Sequence, residues 1–160
     1  MTAKMIDKTI VISGGFDPLH VGHLNMIQAA AQLGDVTVVL NSDEWLINKK
    51  GYVFMPYKER NYLLKQLKGV VAVSAVDDSD GTVCEALQRL KPDIFGNGGD
   101  RTLQNTPEVE LCVKLNIATA WKLGGEKIQS SRGLINTLFA KKPIRSELDD
   151  FKRILDNMPS

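Results

Sequence analysis

The apolar run Thr9-Ile10-Val11-Ile12-Ser13 leads directly into Gly14-Gly15-Phe16-Asp17-Pro18-Leu19-His20-Val21-Gly22-His23, after which a helix-like segment begins at Leu24. Strand, glycine loop and helix start, in that order, constrain this chain more than any other stretch. Glycines let backbone N–H groups approach a ligand closely, and a helix N-terminus carries partial positive charge, so the junction favours an anion such as phosphate. The chain has 2 histidines, and both lie here. Histidines at i and i+3 of a helix start share a face, and each can donate an N–H to a phosphoryl oxygen at neutral pH.

The rest of the chain alternates apolar runs with helical periodicity, the pattern of a parallel sheet covered by crossover helices. Further strands are expected at 35–40, 70–76, 93–95 and 117–121, and helices at 57–68, 82–90, 106–116 and 132–140. The fold class is therefore α/β: a single-domain, Rossmann-like parallel five-stranded sheet with helices on both faces and a C-terminal helix. Residues 1–140 are assigned to the domain and 141–160 to a helical extension. In that extension Leu148, Phe151, Ile154 and Leu155 share one side, which is expected to cover the domain or a partner subunit. Residues 41–51 have weak periodicity and read as a functional loop or short helix. Gly96-Asn97-Gly98-Gly99-Asp100-Arg101 reads as a second glycine-rich turn.

Composition narrows the partners. With 20 basic and 19 acidic residues in 160, the net charge of +1 gives no reason to expect nucleic acid or an anionic membrane, so anion binding must be local. Cys84 and Cys112 form no CxxC pair and suit buried thiols in a reducing compartment. No signal-peptide region or span-length apolar run occurs, and the expected location is cytoplasmic.

Ligands of open parallel sheets bind beyond the C-terminal ends of the strands. Both glycine turns, Lys49-Lys50 and Ser130-Ser131 follow such ends, which argues for a phosphate-handling site. The dinucleotide fingerprint GxGxxG and the P-loop GxxxxGK[ST] are both absent, so the phosphate must be held differently.

Gly15-Phe16-Asp17-Pro18-Leu19-His20-Val21-Gly22-His23 resembles the GxFDxxHxGH signature of cytidylyltransferase-like nucleotidyltransferases. Asn41-Ser42-Asp43-Glu44 with Lys49-Lys50, Tyr57-Lys58-Glu59-Arg60 and residues 70–76 are similar in order and spacing to glycerol-3-phosphate cytidylyltransferases. Gly98-Gly99-Asp100 resembles the GGD turn of heptose-phosphate adenylyltransferases. The resemblance implies that a phosphate oxygen of a small phosphorylated alcohol or sugar attacks the α-phosphorus of CTP or ATP in line and expels pyrophosphate, with no covalent enzyme intermediate.

By the same resemblance, His20 and His23 stabilise charge on the phosphoryl group, and Lys49 and Lys50 neutralise phosphates. Gly14, Gly15, Phe16, Asp17 and Gly22 form the nucleotide loop, while Gly98 and Asp100 lie beside the nucleoside. Mg²⁺ accompanies the triphosphate, bridging its oxygens. Ser130 and Ser131 match the Ser/Thr pair of the family's RxxxIST[ST] motif, whose hydroxyls and helix N-terminus meet the phosphates, and Gln129 beside them is counted among the nucleotide-binding residues. One departure stands out: where the family has arginine, four residues before Ile128, this chain has Gly124, with Lys122, Lys127 and Arg132 as the nearest cations. A homodimer is expected.

Plainer roles exist for several of these residues. The histidines could bind a metal, though no third histidine or nearby cysteine supports that. Lys49 and Lys50 could be solvated, and Arg60 could sit on a wet helix face beside Glu59. Gly98 and Gly99 could serve only a turn and Ser130 only a cap, while Cys84, Cys112, Trp45 and Trp121 read as packing. The main alternative to an enzyme is a catalytically silent nucleotide-binding or sensor module, motivated by Gly124.

Overall fold

The structure is a computed structural model that describes residues 7–99, 106–140 and 142–159. Five strands, β1 (Thr9–Gly14), β2 (Asp35–Leu40), β3 (Val70–Ser74), β4 (Ile94–Gly98) and β5 (Ala118–Leu123), pair in parallel in the order β3-β2-β1-β4-β5. The chain steps from β1 outward to β3, then returns to lay β4 along the other side of β1. Strand order thus reverses at β1, and the glycine loop leaves the sheet at that reversal.

Side chains alternate across a strand, so one strand feeds two cores. Ile10, Ile12, Val36, Val38 and Leu40 pack with Met26, Ile27 and Ala30 of α1 (Val21–Ala31) and Leu64 of α3 (Tyr57–Lys65). Val11, Val39 and Phe95 belong to a second cluster with Ala86 and Leu87 of α4 (Cys84–Leu90) and Cys112 of α5 (Pro107–Leu115). Coverage on both faces explains why these strands are continuously apolar instead of alternating. Each fully buried Ile, Leu or Val contributes roughly 1.5–3 kcal/mol, so the central strands anchor the fold. Burial also pushes the Cys112 thiol up to about 11, the value of an inert packed cysteine.

The structure settles one expected alternative, loop or short helix, and shifts the bounds of other elements. Residues 43–50 form a regular helix, α2 (Asp43–Lys50), capped by the Ser42 side chain and ended by left-handed Gly51. Its periodicity is weak because only Leu46 is buried. Strand β4 runs on through Gly98, taking in half of the expected glycine turn. A Cβ at Gly96 would lie 2.6 Å from Leu123 and 3.1 Å from both Ile10 and Ile12, so the bare residue lets three strands pack together.

The last strand is followed by α6 (Ser131–Ala140) and α7 (Lys142–Asp156), the latter starting earlier than its apolar pattern suggested. On α7, Phe151, Ile154 and Leu155 are exposed, while the side chain of Leu148 lies outside the described residues. No described helix is long and apolar enough to cross a membrane.

Candidate active site

A cleft of about 550 Å³ opens over the C-terminal ends of β1, β4 and β5. Its size suits a small-molecule site, and it lies at the reversal of strand order. Gly14, Gly15, Phe16, Asp17, His20, Gly22, His23, Lys49, Lys50, Gly98, Gln129, Ser130 and Ser131 all line it. Asp100 lies outside the described residues.

The histidine spacing makes a local structure of its own. His20 is the N-cap of α1, and its Nδ1 accepts from the Gly22 N–H at 3.1 Å, while His23 Nδ1 accepts from the His20 N–H at 3.2 Å. The two imidazoles thus occupy the positions that Ser and Glu take in a capping box. Their rings stack with centroids 3.7 Å apart, and the Phe16 and His23 rings meet in a T-shaped arrangement with centroids 4.7 Å apart. Burial, reinforced by neighbouring His20, lowers His23 to about 3; burial and the Lys127 charge lower His20 as well. Both rings are therefore neutral at pH 7. A neutral imidazole whose Nδ1 accepts a hydrogen bond must carry its proton on Nε2, so each histidine keeps one N–H on the edge away from the helix backbone.

The glycines of the loop leave room for the protein's own side chains as well as for a ligand. A Cβ on Gly15 would lie 2.7 Å from Leu46 of α2, and one on Gly22 would lie 2.9 Å from the His20 ring. Between them Phe16 holds φ at 51°, a left-handed conformation that costs a non-glycine residue about 1–3 kcal/mol. Burying its ring, which is 3% exposed, offsets that cost.

Across the cleft the charges are paired with one another. The Asp17 carboxylate accepts from the Phe54 and Met55 N–H groups and lies 2.9 Å from the Lys50 ammonium, which also donates to the Asp17 carbonyl. Lys50 thus lines the cleft while paired with Asp17, and the pair ties α2 to the glycine loop. Arg60 departs from a wet helix face. It is 1% exposed, donates to the carbonyls of Gly15, Asn41 and Met55 at 2.8 Å each, and pairs with Asp43. Buried Asp78 accepts from Asn41 Nδ2, Ser42 N and Ser42 Oγ. Lys49 lines the cleft with its ammonium 4.5 Å from the centre of the Trp45 ring, so Trp45 is a wall of the site as well as packing.

The third wall is the start of α6. Ser130 Oγ accepts from the Gly133 N–H, and Ser131 Oγ donates to the Pro18 carbonyl, which docks this helix start onto the glycine loop. Gly124, standing where the resemblance placed an arginine, has φ of 82°, and a Cβ there would lie 2.7 Å from the Met26 nitrogen. No side chain fits, because the 124–125 loop packs directly against the backbone of α1. Of the nearby cations, Lys127 and Arg132 line the cleft, whereas Lys122 is not among its lining residues.

Sequence reasoning passed over Asn97. It is 5% exposed and lines the cleft between Gly96 and Gly98. Its signal was available: it is the one side chain among four residues that are otherwise glycine at the end of a strand.

Among relatives, the bifunctional protein HldE of Streptomyces coelicolor is 39% identical over 107 residues, covering 64% of this chain. The FAD synthase of Ferroglobus placidus is 31% identical over 94 residues, 59% of this chain. This chain spans 23% of the length of that HldE and 60% of that FAD synthase. Among solved structures, the lipopolysaccharide core biosynthesis protein of Thermoplasma volcanium superposes with a TM-score of 0.62 at 26% identity, over 75% of this chain and 98% of its own. The cytidylyltransferase-like family profile matches residues 11–145, from the first strand through the histidine junction to the helix beyond the serines, and the chain belongs to that nucleotidyltransferase family.

Proposed function

We propose that this protein transfers a nucleotidyl group, CMP or AMP, from CTP or ATP to the phosphate of a small phosphorylated alcohol or sugar and releases pyrophosphate. The observation that carries this is the stacked, neutral pair His20 and His23, with both Nδ1 atoms held by the first turn of α1 and both protons left on Nε2. Two fixed N–H donors at a helix N-terminus match charge that builds on a phosphoryl group, and they need no reorganisation as it builds. The acceptor's phosphate oxygen forms the new bond to the α-phosphorus as the bond to the bridging oxygen of pyrophosphate breaks. Binding both substrates in one cleft supplies the alignment.

Lys127 and Arg132, beside the α6 helix start, face the triphosphate in this reading, in place of the arginine that Gly124 excludes. Among the described residues no three His, Cys, Asp or Glu side chains converge to hold a metal. Mg²⁺ is assigned to the phosphate oxygens of the nucleotide, where it neutralises their charge. The similarity to FAD synthase, whose named product contains an AMP half, favours ATP over CTP. A homodimer through the exposed apolar residues of α7 belongs to the same reading, and a monomeric mass by light scattering at micromolar concentration counts against it.

The test is pyrophosphate release by purified protein with Mg²⁺ and each of the four triphosphates. The acceptors are glycerol 3-phosphate, a hexose 1-phosphate, a heptose 1-phosphate and flavin mononucleotide. Release above a His20→Ala control is expected with one pairing. Tight triphosphate binding without release under every acceptor identifies a silent nucleotide-binding module instead.

A further inference from the structure

Two buried side-chain donors among the described residues have no hydrogen-bond partner, Asn97 Nδ2 and Trp121 Nε1. Of the two, Asn97 lines the cleft. Leaving a buried amide donor unpaired costs more than an ordinary hydrogen bond contributes, so a chain that keeps one at a binding site has a use for it when the site is filled.

The face on which Asn97 emerges identifies that use. A Cβ on Gly96 would meet Ile10 and Ile12, and one on Gly98 would meet Met26 of α1, so both glycines face the α1 side of the sheet. Asn97, between them, faces the opposite side, as does Phe95 two residues earlier in the cluster under α4 and α5. Ser13 follows the same alternation on the neighbouring strand, since Ile12 packs towards α1 and Val11 away from it. Most of the groups assigned to the triphosphate lie on or against the α1 side: His20, His23, the α6 helix start and Lys127. An in-line displacement brings its nucleophile from the side opposite the leaving group.

We propose that Asn97 donates its Nδ2 hydrogen to an oxygen of the acceptor, the non-nucleotide substrate, and so sets acceptor affinity and choice while leaving nucleotide binding alone. This rests on the nucleotidyl-transfer reading. An amide reads hydroxyl and phosphate oxygens without adding charge, which suits an acceptor that is a polar phosphate monoester. A site that keeps a buried donor for a substrate oxygen discriminates strongly against an analogue lacking that oxygen.

The experiment compares the unmodified protein with Asn97→Leu, which keeps the volume and removes the amide, and with Asn97→Ala. The probes are glycerol 3-phosphate, a hexose 1-phosphate, a heptose 1-phosphate and flavin mononucleotide, each with ATP or CTP and Mg²⁺. In both variants the acceptor KM should rise about tenfold or more and the nucleotide KM stay within about twofold, because only the acceptor loses a hydrogen bond. The melting temperature without substrates should hold or rise in Asn97→Leu, since an unpaired buried group has been removed, and the shift that acceptor alone gives the unmodified protein should vanish. Turnover by the unmodified protein with an unchanged acceptor KM in the variants overturns this inference and leaves the function standing. So does a matching rise in nucleotide KM, or a marked loss of melting temperature in both variants, which would reveal a structural partner for the amide. No turnover by the unmodified protein with any acceptor overturns the function and this inference together.

Discussion

The two walls of the cleft handle polar groups in opposite ways. On the α1 wall the histidines are neutral, their Nδ1 atoms are engaged by the helix, and their Nε2 protons are not. On the α2 wall Lys50 answers Asp17, Arg60 answers Asp43 and three carbonyls, and Asp78 answers Asn41 and Ser42. The wall richer in formal charge thus has Lys50, Arg60 and Asp78 paired within the protein. In the proposed reaction, the wall with no formal charge on its central pair is the one that meets the charge on the phosphoryl group. A count of cations near a strand end therefore says less about function than an account of where each donor is used.

That contrast can be broken from either side. The largest effect is expected at Arg60: replacing it with methionine leaves the buried Asn41 carbonyl, the part-buried Gly15 and Met55 carbonyls and Asp43 without their donor and should cost about 3 kcal/mol of stability by denaturant melt, with activity per folded molecule nearly unchanged. A fold that tolerates Arg60→Met would show that the α2 wall does not depend on its internal pairs. His20→Ala and His23→Ala should act the other way, lowering kcat by about 10²–10³-fold while the nucleotide Kd moves only a few-fold, as expected for donors that matter in the transition state. A comparable loss of nucleotide affinity in both would make the histidines a binding device.

Next in size is a pH effect carried by the same pair. The folded pKa of His23 is lowered from 6.5 to about 3, so the folded state holds fewer protons than the unfolded chain between those values. Stability is thus fully present above about 6.5 and falls as pH drops towards 3, by up to about 1.4 kcal/mol per unit. His20 contributes in the same direction. Melting temperatures between pH 7.5 and 4.5 should show this slope, and His23→Gln should flatten it. The smallest effect is expected for Lys127→Met, which removes an exposed cation: nucleotide KM should rise about fivefold at most, in line with the ~1 kcal/mol limit of exposed ion pairs. The His20 pKa should rise too, as followed by NMR, because the neighbouring positive charge is gone.

Much of this molecule is visible in the order of its residues. The strands at Thr9–Gly14 and Asp35–Leu40 are legible because burial on both faces demands continuous apolar runs, and α1 because of its helical apolar spacing, although its first turn begins at Val21, ahead of the expected Leu24. His20 and His23 stand out for a local reason as well: their spacing of three is a capping geometry. Arg60 is not legible, since its three carbonyl partners come from Gly15, Asn41 and Met55, separated along the chain by up to 45 residues. The pairing of Lys50 is hidden likewise, because Asp17 meets it only once α2 folds back over the glycine loop. Gly124 could be read as a missing arginine, but not as a position where no side chain fits, because the obstacle is the backbone of α1, contributed by residues nearly a hundred positions earlier.

Local pattern alone determined the α/β class, the parallel sheet, the phosphate-like junction and the histidine pair, since each depends on neighbours within a few positions. Tertiary structure decided which charges are already answered, which cations line the cleft beside α6, and that Asn97 lines the cleft with a buried donor left without a partner. Those outcomes depend on which carbonyls, carboxylates and N–H groups meet when distant strand ends converge, and no short-range pattern encodes that meeting.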